Sequence, residues 1–141
     1  MTKSGPIIVI DDDLDDQEIL KAAAEELNIP NRFQFFTRCN HAFEYLQTTE
    51  EQPFLILCDI NMPLMTGIEF KKQIDDDKKL RKKSIPFIFF STAADKSVID
   101  EAFIELTVQG FFKKSYSITE LKKTIIVILE YWQLCKHPNA E

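Results

Sequence analysis

This chain has no cysteine cluster, no long apolar run and no excess of basic charge, and each absence removes a class of protein. Its three cysteines, Cys39, Cys58 and Cys135, lie far apart in no metal-type spacing. An odd, scattered set fits reduced thiols in a cytosol better than a disulfide framework. The longest apolar run, "IIVIL" at Ile125–Leu129, is far too short to cross a bilayer. The N-terminal apolar run meets Asp11 after four residues, which excludes a signal peptide. Seventeen Lys and Arg face twenty-three Asp and Glu, for a formal charge of −6. That balance argues against a nucleic-acid-binding surface, which needs clustered cations, and leaves a basic protein partner open. Repeats and linkers are also missing. A single cytoplasmic domain is expected over residues 1–141, with its core at about 5–135 and no second domain attached.

What is present is a soluble globular composition, 45% apolar and 28% charged, in which apolar runs alternate with amphipathic stretches. "IIVI" (7–10), "RFQFF" (32–36), "FLILC" (54–58), "IPFIFFS" (85–91) and "GFFK" (110–113) read as strands. Helices are predicted at 13–28, 40–49, 66–77, 95–107 and 117–135. Asn40 and Asp95 are the expected caps of the second and fourth, and Ser117 with Glu120 forms a predicted capping box for the last. "DDDKKLRKK" (75–83) reads as a solvated helix end and loop. Five strands alternating with five helices make a parallel sheet covered on both faces.

In an open sheet of this kind, ligands bind outside the carboxyl ends of the strands. The first strand delivers Asp11 and Asp12 there, the third Asp59, the fourth Ser91 and Thr92, and the fifth Lys113 and Lys114. Strand alternation puts Lys114 on the same side as Phe112 and so favours it over Lys113. Three partly desolvated carboxylates raise one another's pKa. A hard divalent cation such as Mg²⁺, which takes oxygen ligands, relieves that repulsion. An ammonium and a hydroxyl beside it suit a phosphoryl group in transfer. Asp59 stands singly while Asp11 and Asp12 form a pair, so Asp59 is the candidate nucleophile for an acyl phosphate. Asp13, Asp15 and Asp16 are read as serving the start of the first helix, with Asp13 as its cap.

The segments "IDDD" (10–13), "CDINMPLMTGIEF" (58–70), "IPFIFFSTAAD" (85–95) and "GFFKKSY" (110–116), in this order, resemble the receiver domain of two-component response regulators. The resemblance covers essentially the whole chain. It implies a flavodoxin-like, doubly wound five-stranded parallel sheet of order 2-1-3-4-5 with five helices on both faces. It also implies Asp59 as phosphoacceptor, and Asp11, Asp12, Asp59 and the backbone carbonyl of Asn61 as ligands of Mg²⁺ (or Mn²⁺). Ser91 and Lys114 match the hydroxyl and ammonium that close on the phosphoryl group, with Phe111 as the aromatic switch partner of Ser91. Thr92 matches a backbone contact to the phosphoryl group, Asn61 and Ala93 positions that tune its lifetime, and Gly67 the loop glycine. Ser115 stands where the family usually has a proline, commonly in a cis bond, which leaves that bond's geometry open.

The implied function is a stand-alone signalling switch. Its phosphoryl donor would be a histidine kinase or phosphotransfer protein, and a downstream protein target would read its state. The face of the fourth helix, fifth strand and last helix, with Phe103, Tyr131 and Trp132, is the expected contact surface for that target or for a homodimer. No membrane or direct nucleic-acid partner is expected, and His41 and His137 lack ligand partners. Two rival readings are an Mg²⁺-dependent hydrolase of the haloacid-dehalogenase type and a constitutive pseudo-receiver. The first wants its nucleophile on the first strand in a D-x-D-x-T/V pattern, which Asp11–Asp15 do not complete. The second would lack an acid or the lysine.

Overall fold

The computed structural model describes residues 2–91, 96–104, 108–115 and 117–136. Five strands, β1 (Ile7–Ile10), β2 (Phe33–Phe36), β3 (Leu55–Cys58), β4 (Phe87–Ser91) and β5 (Gly110–Lys113), form one sheet in the order β2-β1-β3-β4-β5. Every adjacent pair is parallel, so each of the four connections must cross over; helices α1 (Leu14–Glu26), α2 (Cys39–Thr48), α3 (Gly67–Asp76) and α5 (Lys96–Ile104) supply the crossovers, and α6 (Ile118–Leu134) follows β5. A short helix, α4 (Lys78–Lys83), follows α3. The sheet is the expected 2-1-3-4-5 arrangement.

Strand alternation divides the core in two. Ile8, Ile10, Ile56, Cys58, Phe87 and Phe89 point to the layer of α2, α3, α4 and α5. Ile7, Val9, Leu55, Leu57, Ile88 and Phe90 point to the layer of α1 and α6. Because both faces are covered, β1 and β3 are wholly apolar rather than alternating.

Several local expectations need correction. The chain has six α-helices among the described residues, not five, because "DKKLRKK" folds as α4 instead of running on as a loop. Asp77 caps it by accepting from the Leu80 N–H at 3.0 Å, and Leu80 is 1% exposed in the core. The basic residues around it also have local work: Lys79 Nζ donates to the Gln47 carbonyl at 2.7 Å, and Lys83 Nζ to that of Thr49 at 3.1 Å. They satisfy orphan carbonyls at the C-terminus of α2, where cations also suit the helix dipole. Asn40 is not the cap of α2. That helix starts one residue earlier, with Cys39 buried in its first turn, and Arg38 holds the cap position without a side-chain bond.

Ser117 caps α6 as expected, but Glu120 does not close the box. Glu120 instead pairs with Lys123, and the Ser117 N–H donates to Ser115 Oγ at 3.1 Å. The serine in the usual proline position thus makes its own turn, and among the described residues there is no cis peptide bond. Asp95, the expected cap of α5, lies outside the described residues. Asp13 does cap α1, accepting from the Asp15 and Asp16 N–H groups. Leu80 tests whether α4 belongs to the fold. Leu80→Ala should lower the urea unfolding free energy by ~2–5 kcal/mol, the range for emptying a buried leucine site, whereas a solvated loop would lose almost nothing.

Candidate functional site

The parallel ladder carries four side chains to one edge of the sheet. Beyond the last paired residues, the Asp11 N–H donates to Phe36 O, the Asp59 N–H to Ile10 O and the Lys114 N–H to Ser91 O, each at 2.9 Å. These bonds extend β1, β3 and β5 by one residue, so the three side chains emerge at the same level. Asp11, Asp59 and Ser91 are buried at 5%, 7% and 2% exposure, although all three are polar. Asp12 is exposed, and one oxygen from each of Asp11, Asp12 and Asp59 lies within 4.8 Å of the others.

Lys114 sits among these acids. Its ammonium bonds Asp11 Oδ2, Asp59 Oδ2 at 2.9 Å and Asp16 Oδ2 at 3.0 Å. Lys113 is exposed, as alternation requires. The other Asp59 oxygen accepts from Ser91 Oγ at 2.9 Å and from the Asn61 N–H at 3.2 Å. Asp11 Oδ1 accepts from the Asp13 N–H at 3.0 Å. Gly67 is required by close approach: a Cβ there would stand 2.3 Å from the Asp59 carbonyl oxygen, and its N–H donates to Ile60 O at 2.9 Å. Phe111 pairs with Phe89 across β4 and β5, half-buried, its ring centroid 5.9 Å from that of Phe89. Thr92 and Ala93 lie outside the described residues.

Two contributors went unread in the sequence. Asp16, assigned to the helix start, reaches Lys114. Gln17, 6% exposed, donates Nε2 to the Asp11 carbonyl at 2.8 Å and ties the β1 end to α1. A signal existed for Asp16: it precedes buried Leu20 by one helical turn, and so shares the inward face of α1.

Burial pushes the Asp11 carboxyl up from 3.8 to about 6, against the lowering effect of Lys114 and the Asp13 N–H, and the nearby Asp59 adds to the rise. For Lys114 burial pulls down, but its bonds to Asp11 and Asp59 prevail and raise it. Burial keeps Cys58, beneath the site, a neutral thiol that donates to the Asp59 carbonyl at 3.1 Å. The donor set is all carboxylate oxygen, two of the three acids are buried, and one resists ionising. Such a set fits a hard divalent cation.

A raised carboxyl favours the folded protein at low pH, because the native state holds a proton that the unfolded chain has released. The contribution is complete below about pH 4 and is lost as pH rises through about 6. Urea titrations in chelator should therefore show wild-type stability falling between those values relative to Asp11→Asn, which carries no such proton.

The response regulator receiver domain model matches residues 7–126. A probable methanogenesis regulatory protein, FilR2 of Methanothrix harundinacea, is 26% identical over 130 residues, covering 89% of this chain and 82% of that protein. Of two longer response regulatory proteins, the matched chain spans 36% and 50%. The phosphorylated cyanobacterial phytochrome response regulator RcpA superposes with a TM-score of 0.83 at 24% identity, over 95% of this chain and 98% of that one. The Mn²⁺-bound form of response regulator Rcp1 superposes at 0.78 and 23% identity, over 96% and 99%. With the family model covering most of the chain and the same fold in these structures, the protein belongs to the response regulator receiver domains of two-component signalling.

Proposed function

We propose that this chain is a phosphoacceptor switch that takes a phosphoryl group onto Asp59 from a histidine kinase or a phosphotransfer protein. The observation that carries the reading is the double hold on Asp59, by Lys114 at one oxygen and by Ser91 at the other, beside Asp11 and Asp12. Asp11, Asp12, Asp59 and the Asn61 carbonyl would hold Mg²⁺ or Mn²⁺, and the Mn²⁺-bound relative supports that choice. When bound, the cation neutralises charge on the phosphoryl oxygens.

In the transfer, an Asp59 carboxylate oxygen forms the new O–P bond as the donor's P–N bond breaks, and the imidazole leaves with the bonding pair. Lys114 supplies fixed positive charge to a phosphoryl oxygen, and the Asn61 N–H holds the carboxylate orientation. Ser91 Oγ then turns from Asp59 to the phosphoryl group. Phe111, half-buried between Phe89 and solvent, follows into the space released. Discrimination of ~3–5 kcal/mol between the two arrangements would make this a switch. Asn61 and Ala93 flank the acceptor as tuners of phosphoryl lifetime, with Thr92 as a backbone contact.

The receiver domain would act in the cytoplasm and signal through protein contact or phosphorelay. The readout face is α5, β5 and α6, where Phe103 and Tyr131 are 51% and 59% exposed. That face would receive a downstream protein or a second copy. Trp132 is half-buried against the core, lining one cavity with Pro86 and Gln109, so it supports Tyr131, edge-on at 5.2 Å, more than it offers itself. No helix among the described residues is long and apolar enough to cross a membrane.

Incubation with Mg²⁺ and acetyl phosphate should add one phosphoryl mass to the wild type and none to Asp59→Asn. An adduct that persists in Asp59→Asn, or multiple turnover of a phosphate ester, would overturn the assignment.

A further inference from the structure

An ammonium has three N–H donors and no acceptor. Lys114 uses its donors on three different carboxylates, those of Asp11, Asp59 and Asp16. Two of these belong to the trio whose oxygens can surround a cation. Asp16 does not. Lys114 and a divalent cation would therefore draw on the same two carboxylates, Asp11 and Asp59. Asp16 stands on the first turn of α1, on the side of the sheet to which Phe112 and Lys114 project, with its side chain 13% exposed.

We propose that Asp16 is a positioning residue that parks the Lys114 ammonium, drawing it off Asp11 and Asp59 when the cation binds and keeping it within reach of Asp59. The metal half of this proposal stands on the contacts alone, while its extension to the phosphoryl group rests on the function proposed above. Lys114 keeps one donor on Asp16 throughout and moves only the other two. A lysine anchored in this way loses less freedom when it meets a phosphoryl oxygen than one swinging in from solvent. A first-turn acid serving only the helix dipole would instead leave the ammonium to Asp11 and Asp59.

The test is a double-mutant cycle read by calorimetric titration of Mn²⁺ into wild type, Asp16→Asn, Lys114→Gln and the double variant, with circular dichroism melts to verify folding. Losing one charge-assisted bond should raise the wild-type Mn²⁺ Kd by about tenfold in Asp16→Asn. In the Lys114→Gln background the same change should have less than about a twofold effect, because no ammonium remains to park. Equal effects in both backgrounds would mean that Asp16 acts on the cation by its own charge, and no effect in either would mean that it acts only on the helix. Both outcomes overturn the proposal. Asp16→Ser and Lys114→Met replace any variant that melts below the assay temperature. Acetyl phosphate labelling of the same four proteins separates the two readings. A wild type that forms no Asp59 adduct defeats the phosphoacceptor function, while the Mn²⁺ cycle still decides the role of Asp16.

Discussion

The structure turns on one electrostatic conflict, the burial of Asp11 and Asp59 side by side at the ends of adjacent strands. Two carboxylates in that position cost stability unless a cation answers them. Lys114, arriving from the end of β5, is the answer within the chain, and its bonds to both acids connect the centre of the sheet to its edge. The rest of the site follows from how that cation is shared. Whatever binds at the acids meets an ammonium already bonded to two of them, and Asp59 is tied directly to both Lys114 and Ser91.

The fold contributes by fixing levels. Parallel pairing of β1 with β3, and of β4 with β5, sets Asp11 beside Asp59 and Lys114 beside Ser91 without any help from loops. The loop after β3 is constrained in turn by Gly67, whose missing side chain lets α3 start against the Asp59 carbonyl. Gln17 makes a similar tie on the opposite side, from α1 to the Asp11 backbone. The acids are thus held by their main chains, and their side chains are free to exchange partners. That separation suits a switch, in which small changes of bonding must move packed elements between discrete arrangements.

Much of this was legible in the residues. Asp11, Asp12, Asp59, Ser91 and Lys114 were readable because each ends a strand or lies within two residues of its end, and strand ends in a parallel sheet converge. Lys114 was separable from Lys113 by alternation together with the family's spacing from Gly110. Asp16 and Gln17 were not readable in the same way, because acids in a first turn have a sufficient local explanation in the helix dipole. Only the reach of Lys114, just past β5, to the first turn of α1 shows that Asp16 has a second partner. Leu80 was hidden for a related reason: five of the six residues of α4 are basic, and composition speaks for solvent while one buried leucine speaks for the core.

By itself, then, the sequence determined the alternation of strands and helices, the identity of the residues at the sheet's carboxyl edge and the likeness to the receiver family. Periodicity and short-range order carry that information, and it survives without knowing what touches what. The tertiary structure alone decided who shares a proton or a charge. It bonded Lys114 to three acids, it left Glu120 with Lys123 and handed the Ser117 N–H to Ser115, and it made a helix of the basic run after α3. Such choices depend on distances between elements far apart in the chain, and local pattern holds no record of them.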